Sequence, residues 1–125
     1  MQADVKLPPD VWSVVADHLI KLGFEPTDEV KQLIEDTADI VLFDGGVFIA
    51  YDNEFDLFVV PERRGKWRIR SEITKFLEQM ACKHSTIAVR INQNNSPSLR
   101  LARHFGFNEV SREQINGEWF ICLEK

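Results

Sequence analysis

Two β-rich runs, Ile40-Val41-Leu42-Phe43 and Val47-Phe48-Ile49-Ala50-Tyr51, flank Asp44-Gly45-Gly46. An Asp-Gly turn between branched and aromatic residues is a strong short-range hairpin signal, because glycine takes the positive φ that a tight reversal needs. A third apolar run, Phe55 to Val60, follows Asp52-Asn53-Glu54 and stops at Pro61. Three strands in antiparallel succession therefore stand mid-chain, and the rest of the sequence must pack on them.

Ahead of them, residues 2–6 are read as a short first strand. Pro8-Pro9-Asp10 opens a helix, since proline is tolerated in a first turn. Val11, Val14, Val15, Leu19 and Leu22 continue it at helical spacing to a stop at Gly23. His18 lies on that stripe and reads as a partly buried core histidine rather than a ligand. Thr27 is the expected N-cap of a second helix ending near Asp39, with Val30, Leu33 and Ile34 as its apolar face.

After Pro61, Ile69, Ile73, Phe76, Leu77 and Met80 are spaced for a long helix, starting near Gly65–Trp67. Residues 86–91 read as a strand. Ser96-Pro97 supplies an N-cap and a proline for a helix through Leu99, Leu101, Ala102 and Phe105. Gly106 fits the left-handed position beyond its end, with Phe107 as hydrophobic follower. A final hairpin turns near Asn116-Gly117. The order is β-α-α-β-β-β-α-β-α-β-β, an α/β (α+β) domain over residues 1–125. Phe105, Phe107, Ile73, Leu77 and Val89 are its expected core.

Net charge narrows the partners. Fifteen basic against twenty acidic residues give −5, which argues against a general nucleic-acid coat. No apolar run approaches the roughly 18 residues of a membrane span. Cys82 and Cys122 are too few for a disulfide scaffold and suit a reducing compartment, so a cytoplasmic location is expected. Cys82-Lys83-His84 is too short for a metal site or a nucleophile pair, and no metal is expected. His104 is read as favouring a helix C-terminus, and Trp119 and Phe120 as packing the last hairpin.

Chemistry concentrates in two places. Five of the fifteen basic residues lie in Glu62-Arg63-Arg64-Gly65-Lys66-Trp67-Arg68-Ile69-Arg70. That stretch stands between a strand end and a helix start, where free backbone N–H groups and the helix dipole favour an anion. It is either an anion-binding loop or a solvated basic face. Glu54 and Asp56, two apart on a strand, share a face. They are either candidates to bind an ammonium group and take its proton, or simply a wet strand face.

Val59-Val60-Pro61-Glu62-Arg63-Arg64-Gly65-Lys66 resembles the strand-to-helix motif "V-x-P-E-x-R-G-K-G-x-G" of the GNAT superfamily of N-acetyltransferases. Asn95-Ser96-Pro97-Ser98-Leu99, Ala102 and Gly106-Phe107 are similar to that family's "N-x-x-A…Y…G-F" segment. The element order is also that family's. The resemblance implies a mixed, mostly antiparallel sheet flanked by helices, its bulged central strand splaying from the next to admit acetyl-CoA. It places Val59 and Val60 along the pantetheine and thioester. It assigns Arg64, Gly65, Lys66, Trp67, Arg68 and Ile69 to the pyrophosphate loop, and sets Asn95 facing the cofactor. The implied reaction is attack of an amine, from a small molecule or a protein, on the thioester. A general base (Glu54 or Asp56) and backbone N–H groups assist it.

Trp67 and Ile69 stand where the family carries small residues, and Ala102 where it often has a tyrosine that protonates the CoA thiolate. In these departures the chain resembles divergent acetyltransferase-like proteins of bacteriophages. The alternative reading is therefore a catalytically silent binding module, partnered with phage structural proteins in virion assembly.

Overall fold

The computed structural model describes residues 5–64 and 68–125. Helix α1 (Pro9–Lys21) buries Val11 and Val15. It closes at Gly23 (φ +90°), whose N–H donates to Ile20 while that of Phe24 reaches back to Leu19. Helix α2 (Asp28–Thr37) is capped by Thr27, whose hydroxyl accepts the Val30 N–H at 3.2 Å. Strands β1 (Asp39–Phe43), β2 (Gly46–Tyr51) and β3 (Glu54–Val59) form the expected antiparallel succession.

A 3₁₀ turn over Pro61–Arg63 leads toward α3 (Arg68–Ala81). Then follow β4 (Ala88–Asn92), α4 (Ser96–His104), β5 (Asn108–Ile115) and β6 (Glu118–Glu124). Gly106 (φ +94°) ends α4 as expected: its N–H donates to Arg103 and that of Phe107 to Ala102. The last turn places Asn116 and Gly117 both at positive φ (50° and 81°), which suits the right-handed twist of a two-residue hairpin.

The six-stranded sheet has the order β1-β2-β3-β4-β6-β5 and is antiparallel except between β3 and β4. One face carries α3 and the larger core cluster, which includes Phe48, Phe55, Ile73, Phe76, Leu77, Val89, Phe107 and Leu123. Phe48 and Phe76 stack there at 4.1 Å and 3°, each burial worth about 1.5–3 kcal/mol. The other face carries α1, whose Val11 and Val15 join Leu7, Ile40, Val47, Ile49 and Val60. That second cluster draws nothing from β4, β5 or β6.

Four local expectations are corrected. Val5 and Lys6 are not in a strand: Leu7 turns inward and gives its N–H to the Glu35 carboxylate rather than to a sheet. Residues 2–4 of that expected strand lie outside the described residues, as does the expected start of α3 at Gly65–Trp67. Leu33 is 60% exposed, because α2 turns Glu35 inward instead, where the backbone of Leu7 and Lys31 meet it. Phe105 is half-buried at the edge of the core rather than within it. Trp119 is exposed: it shares the face of the buried Ile121 but stands at the hairpin end of β6, beyond the reach of the core.

Candidate active site

Strands β3 and β4 run parallel yet pair only at Glu54–Ala88. Around that joint the Ala88 N–H donates to the Asn53 carbonyl (2.9 Å), and Asn53 Nδ2 to the Thr86 carbonyl (3.1 Å). Beyond it the strands part, although β2–β3 pair at six positions and β4–β6 at five. The far end of β3 is held the other way. The Val60 N–H donates to the Gly45 carbonyl at 2.8 Å, and Arg63 pairs with Asp44 at 2.9 Å. The bulge expected in the central strand is not there: the β2–β3 register is unbroken, and among the described residues the one register shift of the sheet is at Glu109/Ser111 in β5. The gap arises from divergent anchoring of two strands, not from an extra residue.

Alternation sends Phe55 and Leu57 to the α3 face and Glu54 and Asp56 to the α1 face. There, a recess of about 50 Å³ is lined by His18, Leu22, Glu54, Asp56, Arg90 and Phe120. Its rim is fastened by the hairpin tip, where Asn116 Nδ2 donates to the Lys21 carbonyl at 3.2 Å across 95 residues. Helix α1 and strands β3, β4 and β6 thus converge on one small space.

The charges in it are unequal partners. The Arg90 guanidinium lies 3.4 Å from Glu54 Oε2 and 2.8 Å from Glu113 Oε1. Asp56 makes no hydrogen bond and no ion pair among the described residues. Burial, helped by the negative charge of Glu54 and opposed by Arg90, pushes its carboxyl up to about 6. Burial also lowers His18, with Lys21 and Arg90 adding to the effect. Its ring, packed edge-on against Phe58 at 5.3 Å, is neutral at pH 7. A carboxylate that titrates near neutrality beside a cleft is suited to accept a proton from an ammonium group.

The residues named from sequence fare differently. Glu54 and Asp56 are brought together as expected. Val59 lies at the end of β3, but its carbonyl accepts Arg64 Nε at 3.0 Å, so that arm of Arg64 is turned onto its own strand. Val60 is buried in the cluster under α1 rather than along the gap. Gly65, Lys66 and Trp67 lie outside the described residues. Arg68 begins α3, and Ile69 packs against the larger core cluster as an apolar helix residue would. Asn95, not Ser96, is the N-cap of α4, its Oδ1 accepting the Ser98 N–H at 3.3 Å. Capping fixes the side chain that was expected to face a cofactor.

In the sequence Arg90 goes unremarked, His18 and Leu22 read only as part of a helix's apolar stripe, and Phe120 only as packing the last hairpin. Arg90 alone had a legible signal: within Ala88-Val89-Arg90-Ile91 it is the charged member of an otherwise apolar strand. Among the described residues no three His, Cys, Asp or Glu side chains gather to hold a metal ion, and no helix is long and apolar enough to cross a membrane.

No family model matches the chain, and no curated protein matches its sequence significantly. Solved structures do. A protein described as a GnaT-family acetyltransferase from Bordetella pertussis aligns with 64% of this chain and 56% of its own, at 21% identity and a TM-score of 0.59. A variant of the spermidine N-acetyltransferase SpeG from Vibrio cholerae aligns with 64% and 55%, at 21% identity and 0.56. The chain thus spans little more than half of either. The ribosomal-protein-alanine N-acetyltransferase from Brucella melitensis aligns with 94% of this chain and 92% of its own, at 18% identity and 0.71. The fold is that of the GNAT acetyltransferases.

Proposed function

We propose that the protein is an N-acetyltransferase that moves an acetyl group from acetyl-CoA to an amine, with Asp56 as the proton acceptor. One observation carries this reading: the only carboxylate in the recess without a hydrogen bond or ion pair among the described residues lies on the strand bordering the β3–β4 gap. The gap suits a slender arm, with Leu57–Val59 of β3 and Ile91–Asn92 of β4 along its two sides. Acetyl-CoA supplies an activated acetyl thioester, which the neutral amine attacks with loss of the CoA thiol.

The residues of the chain prepare that amine. Asp56 holds the ammonium in the recess and takes its proton, which a carboxylate titrating near 6 does more readily than one near 4. Leu22 and Phe120 exclude water around it. A neutral His18 places no competing positive charge beside the ammonium. Acetyltransferases of spermidine and of ribosomal-protein alanine share the fold. Both of those acceptors are amines, so small-molecule and protein amines alike are candidates.

The turn of Arg64 onto the Val59 carbonyl favours a second reading, in which the fold persists as a binding or assembly module without the reaction. Calorimetric titration with acetyl-CoA, followed by turnover with a panel of amines, separates the two. Binding together with turnover lost in Asp56→Asn supports the enzyme. No heat at millimolar acetyl-CoA would sink it.

A further inference from the structure

Among the described residues Arg90 is the one cation lining the recess, and two carboxylates hold it. It stands on β4 between a carboxylate from β3 and one from β5, 3.4 Å from Glu54 and 2.8 Å from Glu113. Its Nε is buried and, despite the short distance to Glu113, makes no hydrogen bond among the described residues. The contact is ionic and off-axis, so either carboxylate can be exchanged for another without breaking a directed bond. Asp56 is the other carboxylate lining that recess, and the Arg90 charge already acts on it.

We propose that Arg90 is a positioning residue: Glu54 and Glu113 hold its guanidinium away from Asp56, so that Asp56 is left unpaired for the incoming ammonium. The role is defined for the acetyl transfer proposed above. Its geometry predicts a signed response. With Glu113 neutralised, the guanidinium loses an anchor and turns toward Asp56, competing with the amine. With Arg90 removed, Asp56 faces Glu54 with no cation in the recess. The other ionisable groups around it are His18 on α1, with Lys21 beside it, and Glu113 on β5, while β6 presents the uncharged Phe120.

The test is the titration of the Asp56 carboxyl carbon by NMR in the full chain without substrate. Glu113→Gln should lower its midpoint, and Arg90→Met should raise it, each by about one pH unit, as expected for a unit charge gained or lost at close range. Arg90→Lys, which keeps the charge, should stay nearer the wild type. Shifts of the same sign, or no shift in Glu113→Gln, overturn the proposal. Glu113 lies on an edge strand, so that variant carries the test alone if Arg90→Met does not fold. Opposite shifts in a protein that transfers no acetyl group would defeat the catalytic reading while leaving the placement of Arg90 standing.

Discussion

The Glu35 carboxylate accepts the backbone N–H of Leu7 at 2.7 Å, twenty-eight residues away, and is buried while doing so. Lys31 at 3.3 Å and Lys6 at 3.8 Å balance its charge from the solvent side. This contact, rather than strand pairing, fixes the segment that precedes α1.

Burial raises the Glu35 carboxyl, but the Leu7 N–H and Lys31 outweigh it and hold it below its ordinary value. Its contribution to stability is therefore complete above the unfolded-state value near 4.5 and is lost as pH falls through the lower folded value. Glu35→Ala should cost about 2 kcal/mol at pH 7, the range for a charged hydrogen bond. The difference from wild type should shrink in urea unfolding below pH 4. An equal difference at pH 7 and pH 3 would show that the carboxylate charge is not what holds Leu7.

Asp56 has the opposite sign. Its folded value, about 6 against 3.8, means that the unfolded chain releases this proton first, so stability falls as pH rises between those values. Asp56→Asn should stabilise the protein at pH 7.5 by about 1–2 kcal/mol, discounted for partial exposure, while abolishing acetyl transfer. Thermal unfolding and turnover on one preparation check both halves. A destabilised variant would mean that Asp56 is bound by partners rather than held in reserve.

The wild-type pH profile follows from the same group. The acidic limb of kcat/KM, which reports the free enzyme, should bend near pH 6. A limb near 4 would place the base elsewhere.

Phe107 is 3% exposed, meets Phe55 edge-on at 6.3 Å and donates the N–H that closes α4. Phe107→Ala should cost about 3–5 kcal/mol in chemical denaturation. An unchanged midpoint would show the ring is not packed.

At Gly46 an added Cβ would collide with the Phe43 ring and lie 2.7 Å from the Phe58 carbonyl oxygen. The second neighbour is strand backbone one pair from the end of the β2–β3 ladder, opposite Val47, and gives way only at a cost in pairing. Gly46→Ala should lower stability by about 1–3 kcal/mol, measured by urea unfolding. Normal stability would mean that the strand end slides to make room.

What was legible in the sequence was local. Thr27, Gly106-Phe107, Asp44-Gly45 and Asn116-Gly117 each announce their geometry within a few residues, and the structure follows them. The cap is Asn95 and not Ser96: both are capping residues, and spacing cannot separate neighbours. Glu35 and Leu33 exchanged places because the inward turn of α2 depends on Leu7, far away in the chain. The recess is the extreme case. Glu54 and Asp56 were visible as a pair on one strand face. The guanidinium that pairs with Glu54 comes from β4, its second anchor from β5, and His18 and Leu22 from α1 and its C-terminal cap. Only the strand order β3-β4-β6-β5 brings these together, and that order is set by long-range pairing that no window of residues contains.

The joint at Glu54–Ala88 makes the sheet behave as two plates on one rivet. The plates β1-β2-β3 and β4-β6-β5 share a single backbone pair, and on the α3 face they share one cushion, in which Phe48 and Phe55 from one plate and Val89 and Leu123 from the other rest against α3. The opening angle is thus governed by the volume of that cushion, since packed interiors transmit strain rather than absorb it. A methylene added or removed among those residues rotates one plate against the other and changes what the gap admits. The aperture of this protein can be retuned from its core, with every residue that borders the opening left as it is.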